Sequence, residues 1–563
     1  MKKGTKLLCT LLSLLFAFSC FGILAFADET AEKTESDIAF EELEKDVPLI
    51  LVTGLGGQYH SGLLTETQED DVQIWEPTVE MIMPVVKEYG FDIIKAILAK
   101  DYVQVNHLIE KAADGIFGPF SCDANGIPNP DTGKKEESTN QLREGNGYSA
   151  SYDFLFDWRL DIVTLADRLH AYVQQVMELT GSDKVAFAAT SMGCSILMTY
   201  LYKYFYTDDA YAGHIQSCVF IAGTMNGVAT CQDPFSANIN LSDESIVRYA
   251  EEMAGGKIQI LRALYSMDIL NPVLKYVGNL MIGLAENGLY DAMEDTMATI
   301  PGFHALMNGE RYSEVKEKMY GTPEKQEKFA AILQVGDYFH NEVQPNNVNM
   351  IQALLDSGAH AAIFAQYGYN LLPLTSDNDR PADGTIALAD ASFGATHSDS
   401  DMTLGENYSQ AVDCICGNNH LSPDGQIDAS TCAFADITWF GRDMMHVFDV
   451  ALLGKLVDLV TYSDEQITVH TYEDLPQFMI RKDNTLIPLT ADNYGEIVQI
   501  ETSIAEDKET DKTVMLIRII LLAAFLLFLA VIALIVFAIE TAVRKKKEKK
   551  KAKTAKETAE QPA

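Results

Sequence analysis

The ten residues Lys184-Val185-Ala186-Phe187-Ala188-Ala189-Thr190-Ser191-Met192-Gly193 constrain the fold more than any other stretch of the chain. A short apolar, β-prone run stops at a small-x-Ser-x-Gly pentapeptide, and a helix-like run, 194–206, follows at once. That order is the layout of a nucleophile elbow, a sharp strand-to-helix turn that holds a serine hydroxyl above the edge of a sheet. The positions two before and two after the serine must be small, because strand and helix pass close together there. Ala189 and Gly193 meet that need, with Ala in place of the more usual first Gly. The bland alternative is a buried serine in an ordinary βα turn, so the rest of the chain must supply a base and an acid.

Strand-like runs recur at Pro48–Val52, Tyr152–Phe156, Val185–Ala189, Ser217–Ala222 and Ala361–Gln366. Between two of them, 161–179 has helical periodicity, with Ile162, Leu165, Leu169, Val173 and Val176 on one face. Strands alternating with helices predict an α/β fold, a mostly parallel sheet covered on both faces. Two stretches break the rhythm. Residues 58–147 mix short helices with a Gly/Pro/Asn-rich loop, and about 228–345 is helical and rich in Met, Leu and Tyr. Helices inserted after a mid-sheet strand are where caps and lids sit, so 228–345 is expected to be a helical lid or cap.

The ends are expected to address the chain. Residues 1–27 read as a signal peptide, with Lys2, Lys3 and Lys6, an apolar run and Ala25-Phe26-Ala27 as cleavage site. Residues 28–45 are an acidic leader, 46–462 the α/β domain, and 463–513 a juxtamembrane stalk. Residues 519–539 form an uncharged apolar run long enough, at about 1.5 Å per residue, to span a bilayer as one helix. The tail, 540–563, is basic, which marks a cytoplasmic flank. The expectation is single-pass anchoring in the cell membrane with the catalytic domain outside.

The formal net charge is −39, and the acidic residues fall mainly between the two basic ends. Such a surface repels nucleic acid, which excludes a nucleic-acid partner. Seven cysteines follow residue 27, too few to build a fold of this size on disulfides. Cys194 and Cys218 lie in apolar runs, and Cys414, Cys416 and Cys432 are close enough for one bridge. Metal-ligand spacing is absent, so no metal or other cofactor is expected.

A serine attacks only when a base takes its proton, and the base needs an orienting acid. On a strand-elbow-helix scaffold both lie downstream of the serine, acid first. Asp383 follows a turn-rich segment beyond a strand and is the best acid, with Asp377 and Asp379 as rivals. Among His397, His420, His446 and His470, His446 stands at the head of an amphipathic run, 447–460, and is the preferred base. Thr53-Gly54-Leu55-Gly56-Gly57 follows the first strand, so Leu55 and Met192 are the expected oxyanion amides. Gly54-x-Gly56 lacks the third spaced glycine of a dinucleotide fingerprint.

Four segments together resemble the lecithin:cholesterol acyltransferase and phospholipase family of α/β-hydrolases. They are 48–57, Phe156-Asp157-Trp158-Arg159, the 189–193 elbow, and Asp383-Gly384-Thr385 followed by His446. Phe220-Ile221-Ala222-Gly223-Thr224 and Thr299-Ile300-Pro301-Gly302 are also similar to family segments. The resemblance spans roughly 46–460 and implies an α/β-hydrolase fold with a lid, a Ser191–Asp383–His446 triad, and substrate contacts near Trp158 and Arg159. It implies attack on a lipid or other fatty acyl ester through an acyl-enzyme. Transfer to water gives an esterase or lipase and transfer to an alcohol an O-acyltransferase. A peptidase on the same fold, or a non-catalytic surface protein that keeps the fold for binding, are the rivals.

Overall fold

The computed structural model describes residues 46–55, 64–65, 79–118, 121–129, 132–133, 151–208, 213–236, 238, 240, 242–253, 259–266, 270–373, 375–400, 402–414, 417–446, 450–483, 485–494, 516–517 and 519. The chain divides into two compact units, one of 1–249 with 274–498 and one of 250–273 with 499–563. In the second unit a helix runs over Gln259–Ser266, and Arg262 donates to both carboxylate oxygens of Glu251.

The first unit is built on an eight-stranded sheet. Its strands are β1 Leu49–Val52, β2 Ser151–Phe154, β3 Val185–Thr190, β4 Ile215–Ile221, β5 His360–Tyr367, β6 Thr438–Arg442, β7 Phe478–Lys482 and β8 Thr485–Pro488. Their spatial order is β8-β7-β6-β5-β4-β3-β1-β2, with every neighbouring pair parallel except β7 and β8. The expected α/β class is therefore met by a mostly parallel sheet. The central strands are continuous apolar runs because both their faces are covered: all of β5 and the first five residues of β3 are buried.

The helices of this unit include α1 Val79–Ala99, α2 Tyr102–Phe117, α3 Ile162–Thr180, α4 Met192–Leu201, α5 Gly309–Tyr320, α6 Asn347–Asp356 and α7 Gly454–Tyr462. Helix α3 starts where Asp161 accepts from the Thr164 amide at 2.8 Å and stops at Gly181, whose φ of 69° a Cβ would penalise. Its expected face, Ile162, Leu165, Leu169, Val173 and Val176, is buried in the central core.

Two expectations need correcting. The stalk was to begin at 463, but β7 and β8 lie within it and complete the sheet. Phe478, Met479 and Ile480 form a short buried apolar run before Arg481 and Lys482 turn toward solvent, so the strand is only three apolar residues inside a polar stretch. Single-pass membrane anchoring is also corrected: among the described residues no helix is long and apolar enough to cross a membrane. The 21-residue α1 has the length but carries Glu80, Lys87, Glu88, Asp92 and Lys95. Of 519–539 only Ile519 is described, and the signal peptide 1–27, the leader 28–45 and the tail 540–563 lie outside the described residues. Among the expected cysteine pairings, Cys414 is disulfide-bonded and Cys432 is a free thiol.

The insertion 228–345 is largely helical and has cores of its own. One gathers α1, α2 and Leu280, Leu284 and Leu289, joined by Asn106, whose amide donates to the carbonyls of Leu284 and Asn287 at 3.0 and 2.8 Å. The two interruptions of the strand–helix rhythm thus pack on each other. A second cluster surrounds Tyr312, Tyr320 and Phe329, with His304 buried beside it. The Tyr320 hydroxyl donates to the Ala298 carbonyl at 2.6 Å, so the contact of 3.1 Å to His304 Nε2 requires His304 to donate. A second proton on that ring would put a charge among apolar side chains. Burial first, and then His340, lower the His304 pKa to about 3.

This depression has a sign. The unfolded chain binds the proton below about pH 6.5 and the folded chain only near 3, so stability is fully present above 6.5 and declines as pH falls toward 3. The slope from this residue is at most about 1.4 kcal/mol per pH unit. Urea midpoints between pH 7 and 4 are expected to fall less steeply for His304→Gln than for the parent. Parallel curves would refute the assignment.

Candidate active site

In parallel strands every chain leaves the sheet at the same edge, and loops beyond those carboxyl ends gather the functional groups. Ser191 follows β3, Gly54 follows β1, and Asp383 and His446 lie on the loops after β5 and β6. Register supports this directly, since Val52 pairs with Ala189 and both strands end together.

Ser191 has φ 52° and ψ −126°, a conformation costly for a residue with a Cβ, on the order of 1–3 kcal/mol. The surroundings over-determine it. Its amide donates to the Ile221 carbonyl at 3.1 Å, and its own carbonyl accepts from the amides of Cys194 and Thr224 at 3.0 and 3.3 Å. The Thr224 hydroxyl adds a contact to the same carbonyl at 3.2 Å. Gly193 is needed because a Cβ there would lie 2.1 Å from the Val52 carbonyl oxygen. Gly54 is needed because its Cβ would lie 2.7 Å from that of Ser191. The glycine loop after β1 therefore passes directly beside the serine and carries Leu55 with it. Met192 opens α4 and is fully buried. The close neighbour Cys194 is no rival nucleophile, since burial pushes its thiol up to about 12.

The three residues singled out from the sequence meet. His446 Nε2 lies 3.0 Å from Ser191 Oγ, and His446 Nδ1 lies 2.7 Å from Asp383 Oδ2. The second Asp383 oxygen accepts from the amides of Thr385 and Ile386 at 2.9 and 2.7 Å. The His446 amide donates to the Asp383 carbonyl at 2.9 Å, which locks the two loops together. Asp383 is 1% exposed, and Ser191 and His446 are each 7% exposed. Because Asp383 only accepts, His446 Nδ1 must carry the proton. Its Nε2 then presents a lone pair to the serine hydroxyl.

The rival residues are elsewhere. Asp377 pairs with Arg380, and Asp379 with Arg248 at 3.5 Å. His397 contacts the Ser398 carbonyl, while His420 and His470 adjoin Asp436. Trp158 and Arg159 are placed differently from a surface that greets a substrate. Arg159 is fully buried and grips Asp157 at 2.7 Å and 3.0 Å. Its loop packs on Gly302, whose Cβ would lie 1.9 Å from the Trp158 carbonyl oxygen. Two participants escaped the sequence reading: the Thr224 hydroxyl and the paired amides of Thr385 and Ile386. The Asp383-Gly384-Thr385 turn, with Gly384 at φ 92°, was the available signal for the second.

No protein-family model matches the chain, and no curated protein matches it. Nine chains among solved structures match. One, described as the crystal structure of Tle4-Tli4 complex, is 10% identical and covers 84% of this chain and 98% of its own, at a TM-score of 0.24. A likeness of that size carries no argument about fold or chemistry.

Proposed function

We propose that the chain is a serine hydrolase that cleaves acyl esters through an acyl-enzyme, with fatty acyl esters as the substrate class that the family resemblance favours. The observation that carries the reading is the unbroken Ser191–His446–Asp383 relay at 3.0 and 2.7 Å, with the serine on a strained elbow. Ser191 Oγ forms a bond to the ester carbonyl carbon while its proton passes to His446 Nε2. Asp383 holds the ring and offsets the imidazolium charge that develops. The amides of Leu55 and Met192 stabilise the oxyanion. His446 then returns the proton to the departing alcohol, and water, activated by the same ring, releases the acid. Trp158 and Arg159 serve this site through packing: the buried Asp157–Arg159 pair fixes the loop that bears Trp158.

A fluorophosphonate probe tests the reading. The folded protein is expected to label at one residue, with the adduct mapped by mass spectrometry to the peptide that contains Ser191. Long- and short-chain esters, phospholipids and peptides, each with and without an added alcohol, then identify the acyl group and its acceptor. A folded protein that neither labels nor cleaves any ester would overturn the proposal.

A further inference from the structure

The carbonyl of Ser191 meets more donors than it has lone pairs. The amides of Cys194 and Thr224 and the Thr224 hydroxyl converge on it at 3.0, 3.3 and 3.2 Å. That carbonyl belongs to the same planar peptide as the Met192 N–H, and in a trans peptide the two point in opposite directions. Whatever fixes the Ser191 oxygen therefore fixes the aim of the Met192 amide. We infer that Thr224, supported by Ser195, is a positioning residue that orients and polarises the Met192 amide toward the oxyanion. The inference rests on the reading of Ser191 as the nucleophile and goes beyond it by naming what sets the oxyanion donor.

The end of the hydroxyl chain sets its direction. A carbonyl only accepts, so the Thr224 hydroxyl donates to Ser191 and must accept from the Ser195 hydroxyl, 2.7 Å away. Donation then runs from Ser195 to Thr224 to the Ser191 carbonyl, and across the peptide to the Met192 N–H. Bonds in such a chain polarise one another, and more so where water is excluded. Ser195 and Thr224 are 0% and 1% exposed. Met192 is the first residue of α4, so its N–H has no partner inside the helix. A buried threonine hydroxyl needs a partner in any structure, but Ser195 alone would satisfy that need.

The loop that carries Thr224 is fixed on both sides. Ala222, directly after β4, has φ 46°, a conformation costly for a residue with a Cβ, and its amide donates to the Phe364 carbonyl of β5 at 2.9 Å. Gly223 lets the turn lie against α4, since a Cβ there would be 2.4 Å from Met225 Cε and 3.2 Å from Cys194 Cβ. On the far side, the Met225 carbonyl accepts from the side-chain amides of Gln344 and Asn347 at 3.0 and 2.9 Å. Gln344 stands at the end of the helical insertion and Asn347 opens α6. The insertion thus grips the residue next to Thr224 and resists its withdrawal from the elbow.

The test compares Thr224→Val, which keeps the shape and the backbone amide but removes the hydroxyl, with Thr224→Ser, which keeps the hydroxyl. On the ester that the parent cleaves best, Thr224→Val is expected to lower kcat about tenfold with KM within about twofold, against about 10²–10³ for outright loss of an oxyanion donor. Thr224→Ser should recover most of that loss, and Ser195→Ala should fall between. Affinity for a long-chain trifluoromethyl ketone, whose tetrahedral adduct sets an oxyanion against the same amides, should fall in step with kcat. Mere loss of packing would lower stability without that correlation, so urea midpoints are measured alongside. Should Thr224→Val fail to fold, Ser195→Ala carries the same comparison with Thr224 untouched. Unchanged kcat and ketone affinity in a folded Thr224→Val, or in Ser195→Ala in its place, would overturn this inference and leave Ser191 as the nucleophile. A folded parent that neither labels with fluorophosphonate nor cleaves an ester would overturn both.

Discussion

Replacing Ser191 by Ala is expected to lower kcat for ester hydrolysis by about 10⁶-fold while leaving far-UV dichroism and the urea midpoint close to the parent's. The size follows from how the groups act. In the proposed reaction the hydroxyl is the atom that forms the new bond, and the elbow with φ of 52° presents it. Removing His446 as well should cost nothing more, because a base without a nucleophile has no proton to take. Ser191→Ala and the Ser191→Ala/His446→Ala pair should therefore share one residual rate, set by binding and the oxyanion amides. A single variant that retains more than about a tenth of the activity would mean that another group attacks, since a tenth corresponds to only about 1.4 kcal/mol of barrier.

Much of this geometry is legible in the sequence because each part obeys a local rule. The elbow needs small residues at 189 and 193, and Gly193 turns out to face the Val52 carbonyl oxygen. Helix α3 carries its own start and stop signals in Asp161 and Gly181. The triad could be picked out because chain order follows strand order at one edge of a parallel sheet. What stayed hidden was set by long-range packing. Strand β7 is three apolar residues followed by Arg481 and Lys482, and it pairs with the four-residue β8 at the sheet's edge, a pattern too short to separate locally from a polar linker. Arg159, expected from the resemblance to lie near substrate, is held in the core by Asp157, a pairing that the sequence alone does not reveal. The insertion 228–345 announces helices through its periodicity, yet its packing on α1 and α2 could not be read from either segment alone.

The sharpest separation of chemistry from structure comes from Asp383→Asn. The amides of Thr385 and Ile386 hold one oxygen of residue 383 at 2.9 and 2.7 Å, and asparagine keeps its carbonyl there because only an oxygen can accept. Its NH₂ must then face His446 Nδ1, where the carboxylate stands at 2.7 Å. An N–H donor at that place forces Nδ1 to become the acceptor. The ring proton moves to Nε2, which then points an N–H at Ser191 Oγ and cannot take its proton. The variant should fold like the parent, bind substrate with similar KM, and lose about 10⁴-fold in kcat. Stability is a weaker guide here, because asparagine retains both amide contacts. Asp377→Asn and Asp379→Asn, whose carboxylates are more than half exposed, should leave kcat within about twofold, the span of an ordinary surface change. Steady-state kinetics of the three variants, with fluorophosphonate labelling rates measured alongside, distinguish the orienting acid from its neighbours. An Asp383→Asn enzyme as active as Asp377→Asn would remove Asp383 from the relay and return the search for the third member to the loop after β5.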